Sequence, residues 1–193
     1  MVVFLLRDVA VEYYARHPVV IGGPNTIVEI DETCVTRRKY ERGRLVRQNQ
    51  WLFGGVQRGT NGTKCFVVPV ERRDANTLLP LIRQHIRAGT TIYSDGWAAY
   101  NTIGNQQNMN YTHDRVIHEY NFLNPQNPLI HTQSIENMWS QFKKTHLKRP
   151  NGINISSDLF SNYMVDYVWR HNFRQNTFYH LWHQISEMYP CEH

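Results

Sequence analysis

Three acidic residues, Asp31, Asp95 and Glu136, have the types and surroundings that could do chemistry. Asp31 sits near the end of an alternating apolar run, in VEIDET. Asp95 follows a second apolar run, in SDGW. Glu136 begins an amphipathic stretch, in TQSIENMW. Hard divalent cations such as Mg²⁺ or Mn²⁺ take oxygen ligands and need only a few carboxylates besides water and a substrate phosphate. Two such ions about 3.5–4 Å apart are the usual device for in-line displacement at a phosphodiester. Taken singly, each acid has an ordinary structural role: a turn former at 31, a helix cap at 95, a solvated helix position at 136. Their joint placement carries the argument. Glu32 should point to the strand face opposite Asp31, and Asp114 and Glu119 flank a later strand as alternative ligands of lower rank.

Cations and aromatics surround these acids in the sequence. Arg37, Arg38, Lys39, Arg42, Arg44 and Arg47 place six positive charges in eleven positions, directly after the Asp31 strand. Such a run suits phosphate neutralisation and positioning of a nucleic-acid strand, with Tyr40 available for stacking; a solvated hairpin or a short nuclear-import-like run is the alternative. Lys143 lies two helical turns after Glu136 and therefore on the same face, where it would contact a phosphate or simply be solvated. Trp97 and Tyr100 would pack the wall of the site or touch a base. His131 would assist proton transfer, contact phosphate or merely start a helix. Trp139, Trp169 and Trp182 occupy apolar stripes and read as core.

The elements that must position these residues can be read from periodicity. Val2–Arg16 has helical spacing and stops at His17-Pro18. Thr26–Cys34, Trp51–Val56 and Cys65–Val70 read as a three-strand antiparallel meander. Asp74–Ala88 reads as a helix with Asp74 as N-cap and Gly89 as its stop. Thr90–Ser94 is a strand, Gly96–Asn101 a short helical turn, and a fifth strand is expected around Arg115–His118. A helix over His131–Lys148 and two aromatic-rich helices over Ser157–His171 and Thr177–Met188 complete the chain. The order β-β-β-α-β-α-β-α predicts an α/β domain of RNase H-like fold, a mixed five-stranded sheet flanked by helices, with extra C-terminal helices. The expected division is a linker helix and turn over 1–24, the core over 25–150 and a helical extension over 151–193.

Composition narrows the partners. The chain has 193 residues, a formal charge of +5 and a pI near 9.2, which favours polyanions. Cys34, Cys65 and Cys191 form no CxxC pair, which argues against a structural zinc site or a disulfide framework and for a reducing compartment. The apolar start, Met1–Leu6, is too short for a signal core or a membrane span. An intracellular protein is expected, nuclear if the source is eukaryotic.

The runs GGPNTIVEIDET, RRKYERGR, WLFGGVQRGT, VPVERRDANTLLPLIRQHIRAGTTIYSDGWAAY, HTQSIENMWSQFKK and DYVWRHNF span roughly residues 20–175. Together they resemble transposases of the Merlin group and their bacterial insertion-sequence relatives. The resemblance implies a DDE triad at Asp31, Asp95 and Glu136 with a downstream lysine at Lys143. It further implies two Mg²⁺ or Mn²⁺ ions, DNA as substrate (transposon ends and target), strand cleavage followed by strand transfer, and at least a dimer during transposition. Two departures stand out. The fifth strand reads Val116-Ile117-His118 where relatives carry Val-Asn-His. Met1 also begins at the linker helix, where relatives carry an upstream DNA-binding region. The alternative is therefore a domesticated or truncated remnant that binds DNA or protein without transposing. A nuclease of the same fold acting on hybrids ranks third.

Overall fold

In the computed structural model, residues 2–35, 50–59, 64–116, 130–147 and 160–190 are described. The elements are α1 (Val2–Arg16), β1 (Ile21–Gly22), β2 (Ile27–Cys34), β3 (Trp51–Gln57), β4 (Lys64–Val70), α2 (Ala75–His85), β5 (Ile86–Arg87), β6 (Thr91–Asp95) and β7 (Thr112–Val116), followed by α3 (Gln133–Phe142), α4 (Phe160–Asn172) and α5 (Thr177–Met188). The main sheet has the order β4-β3-β2-β6-β7. The β2–β3 and β3–β4 pairs are antiparallel, and β6 runs parallel to both β2 and β7. This is the mixed five-stranded sheet of an RNase H-like α/β fold, with helices on both faces.

Side-chain alternation along the strands sorts the core into two layers. Val28, Ile30, Phe53, Phe66, Val70 and Ile92 face Leu78 and Ile82 of α2. Leu52, Val56 and Cys65 face Ile135, Met138, Trp139 and Phe142 of α3 and Met164 and Val168 of α4. The apolar stripes expected on α3 and α4 therefore cover one face of the sheet, while α2 covers the other. Asn172, at the end of α4, hydrogen-bonds the Cys65 N–H and carbonyl and the Tyr14 hydroxyl, tying α4 to β4 and α1. Trp169 donates its indole N–H to Gln184 at 2.7 Å and thereby joins α4 to α5.

Several expectations shift on inspection. Asp74 does cap α2, its carboxylate accepting from the Thr77 N–H at 2.9 Å. The helix nonetheless ends at His85, short of Ala88, because Ile86 is extended, buried and paired in parallel with Ile21. Between β6 and β7 there are only 3₁₀ turns, at Ala98–Tyr100 and Ile103–Asn105. The fifth main strand begins earlier than expected, at Thr112. After Phe142 the helical path widens to a π turn over Lys143–Leu147, a form that concentrates at functional sites. Trp139 and Trp169 are core, but Trp182 is not: it is exposed beside Phe178 and Tyr179 on α5. Cys34 and Cys65 are free thiols. No helix among the described residues is long and apolar enough to cross a membrane.

Candidate active site

Asp31 and Asp95 belong to neighbouring strands whose register brings them level. Ile27 pairs with Thr91 and Glu29 with Tyr93, so two residues further on Asp31 lies beside Asp95, where the strands cease to pair. Both fall on the α3 face of the sheet. The side of Asp31 is set by its cross-strand partner, Gly54. A Cβ on Gly54 would sit 2.8 Å from the Trp139 ring of α3. The absence of a side chain at 54 therefore lets α3 approach the Asp31 strand, and α3 carries Glu136 one turn before Trp139.

Electrostatics link the same residues. The Asp31 carboxyl is pushed up to about 7, chiefly by burial and further by the negative charges of Glu32, Asp95 and Glu136. Asp95 lies at the strand end and accepts the Trp97 N–H at 3.0 Å. Glu136 is exposed, its Oε1 accepting the Thr132 hydroxyl at 3.0 Å. Lys143 follows on the same helix, its backbone N–H still bonded to the Trp139 carbonyl, so the seven-residue spacing keeps it on the Glu136 face.

Glu32 points to the opposite face, as alternation requires, yet it remains in the field of Asp95. Burial raises it to about 7, a nearby Tyr100 hydroxyl and Arg73 hold it down, and Asp95 raises it further. Its Oε1 and the Tyr100 hydroxyl are both buried without a well-formed hydrogen bond. Tyr100 is wholly buried in the α2-side core, so it lines the acid cluster from within and is not a surface for bases. Trp97 is 42% exposed and held in place, its indole N–H donating to the Arg73 carbonyl at 2.9 Å. The Arg73 guanidinium lies 3.8 Å over the Trp51 ring and 5.2 Å from that of Trp97. Asp114 lies on β7.

These oxygens suit a hard divalent cation. They gather acidic charge around a half-buried aspartate whose principal electrostatic neighbours are other acids. Among the described residues, no three His, Cys, Asp or Glu side chains are drawn together closely enough to hold a metal ion. The donor chemistry thus fits, while the carboxylates stand apart around Asp31. The basic residues Arg37, Arg38, Lys39, Arg42, Arg44 and Arg47, and Glu119 and His118, lie outside the described residues. The connection bearing the basic run does leave and re-enter the sheet at the Asp31 end, where Cys34 pairs with Trp51 and Val35 donates to the Gln50 carbonyl.

Residues not singled out from sequence also shape this place. Glu29, two positions before Asp31 on the same face, is fully buried. One of its oxygens meets Arg58 Nε at 2.5 Å; the other accepts the N–H groups of Ser134 and Ile135 at 2.8 and 3.1 Å. Arg58 also donates to the His131 carbonyl at 2.7 Å and meets His131 Nδ1 at 2.9 Å. Burial and Arg58 lower the His131 pKa. His131 therefore serves the start of α3 through Arg58. Nothing in the alternation of IVEIDETC sets Glu29 apart from Asp31 and Glu32 on the same strand.

Residues 22–176 match the model of the ISXO2-like transposase domain. A transposase-like protein of Haemophilus influenzae is 28% identical over 109 residues, covering 56% of this chain and 81% of that protein. Among solved structures, a chain of the simian T-cell lymphotropic virus intasome, bound to PP2A regulatory subunit B56 gamma, aligns at 17% identity and a TM-score of 0.45. That alignment covers 81% of this chain but 52% of the other, so the present chain spans about half its length. The catalytic core domain of BIV integrase aligns at 12% identity and a TM-score of 0.41, covering 84% of this chain and 97% of that one. With most of its length matched, the chain belongs to the ISXO2-like transposase domain family, within the insertion-sequence transposases.

Proposed function

We propose that this chain is the catalytic domain of a DDE transposase of Merlin type, cleaving DNA at the ends of a mobile element and joining them to a target. The observation that carries this reading is the strand register that sets Asp95 level with Asp31 on the sheet face covered by α3, the helix that bears Glu136. In this reading Asp31, Asp95 and Glu136 hold two Mg²⁺ or Mn²⁺ ions, which would supply Lewis-acid stabilisation of charge at the scissile phosphate. Lys143 contacts a backbone phosphate from the Glu136 face of α3. Arg37, Arg38, Lys39, Arg42, Arg44 and Arg47 neutralise further phosphates and hold the strand to be cut. DNA ends and target are the partners, engaged by at least two copies of the chain. The core would run over 25–150, with 1–24 as a linker and 151–193 as an extension.

A second reading, a remnant that binds DNA without transposing, draws on the separation of the acids: no three metal-ligating side chains converge among the described residues. One experiment separates the two. Labelled DNA carrying candidate terminal repeats is incubated with Mg²⁺ or Mn²⁺ and wild-type protein, or with Asp31→Ala, Asp95→Ala or Glu136→Ala. Metal-dependent cleavage and joined product in wild type, lost by at least about a hundredfold in each variant, supports the transposase. DNA binding with no cleavage in any protein supports the remnant.

A further inference from the structure

Helix α3 begins in an unusual way. Thr132 occupies its N-cap position, and threonine there ordinarily turns its oxygen back to accept from the second or third helical N–H. Here the Thr132 side chain makes no such bond. Its hydroxyl donates instead to Glu136 Oε1 at 3.0 Å. The two N–H groups it would have served, those of Ser134 and Ile135, are taken by Glu29 Oε2 from the neighbouring strand. Glu29 is at once the strand mate of Asp31 and, through Arg58, the partner of the His131 turn that leads into α3.

We infer that Glu29 is the N-cap of α3 in place of Thr132, and that this exchange leaves the Thr132 hydroxyl free to hold the Glu136 carboxylate toward the Asp31 strand. A carboxylate suits the cap because the N-terminal amides and the helix dipole favour negative charge. It comes from the strand that bears Asp31, so it fixes α3 in both height and rotation against that residue. Thr132 is almost completely buried, so its hydroxyl has few other directions to take. Glu29, Arg58 and Thr132 are thus positioning residues, acting through Glu136. This role at the metal site rests on the proposed transposase reading; the exchanged cap does not.

The test uses the whole chain and two readouts. The first amides of a helix normally lack partners within it, so hydrogen-exchange protection at Ser134 and Ile135 reports the cap directly. In Glu29→Met, which removes both acceptor oxygens, exchange at those two amides should rise on the order of tenfold beyond any change shared with Leu78 and Ile82 of α2. In Thr132→Val they should stay protected, because Thr132 does not cap. The second readout is Mn²⁺ affinity of the DNA-free protein, measured by calorimetry. Thr132→Val should weaken it roughly tenfold or more, as loss of a group orienting a metal ligand does; Thr132→Ser, which keeps the hydroxyl, should restore it. Deprotection of Ser134 and Ile135 in Thr132→Val, or their continued protection in Glu29→Met, overturns the exchange. Unchanged Mn²⁺ affinity in Thr132→Val overturns the hold on Glu136. If wild type neither binds Mn²⁺ nor cleaves while the exchange pattern appears as described, the transposase reading and the hold on Glu136 fail and the cap stands. If wild type cleaves and that pattern is missing, the transposase reading stands and the inference fails.

Discussion

Two carboxylates two residues apart on one face of one strand meet opposite treatment. Glu29 is fully buried, and the chain answers its charge with a guanidinium and two helix N–H groups. Asp31 is less buried, and burial together with the charges of Glu32, Asp95 and Glu136 among the described residues pushes its carboxyl up to about 7. A charge that is completed within the chain serves the fold. Around Asp31 the charged neighbours among the described residues are acids, a donor set of the kind that hard cations complement.

The largest effect should come from breaking the completed side. Glu29→Ala takes the carboxylate away from Arg58 and the acceptor from Ser134 and Ile135, and removing one member of a buried pair costs about 3–5 kcal/mol. Urea denaturation measures this; a loss below about 1 kcal/mol would show that the network contributes little.

Breaking the incomplete side should act in the other direction. The folded chain raises the Asp31 pKa, so between about pH 4 and about 7 it binds more protons than the unfolded chain, and stability falls as pH rises through that window. Asp31→Asn removes the penalty. In EDTA at pH 8 it should stabilise by about 2–4 kcal/mol, visible as a rise in Tm of several degrees, and the gain should vanish near pH 4. An equal gain at both pH values would mean that charge is not the cause.

Gly54→Ala tests how the two halves of the site are held together. The new methyl would lie 2.8 Å from Trp139 and 3.0 Å from the Phe66 carbonyl oxygen, and such overpacking costs about 1–3 kcal/mol. Because Trp139 and Glu136 share α3, metal-dependent cleavage should fall further than stability alone accounts for. Wild-type cleavage with an unchanged Tm would refute the close approach. The smallest effect on stability belongs to Asp95→Asn: an amide keeps an oxygen for the Trp97 N–H but loses the charge, so the Asp31 carboxyl should titrate lower. Carboxyl-carbon NMR follows it, and an unmoved titration would place Asp95 outside the cluster's field.

How much of this was legible beforehand differs by element. Alternation in TIVEIDETC placed Asp31 and Glu32 on opposite faces, and the structure agrees, with Glu32 turned toward Tyr100 and Asp31 toward α3. The stop of α2 was misplaced at Gly89, because local signals favoured the glycine while Ile86 was claimed by pairing with Ile21. Trp182 read as core by periodicity, but nothing among the described residues covers that side of α5. Glu29 gave almost no signal of its role, since its partners lie 29, 105 and 106 residues away.

The amino-acid sequence by itself determined the five main strands, the long helices, their order and the acids at strand ends and on α3, because periodicity, capping and turn chemistry act over a few residues. Only the tertiary structure decided that Glu29 is paired with Arg58 and the α3 amides while Asp31 is buried near other acids. That outcome depends on strand register, on the bare backbone at Gly54 and on charges brought together from distant parts of the chain. Coulomb interactions and burial are set by distance in space, which no local pattern records.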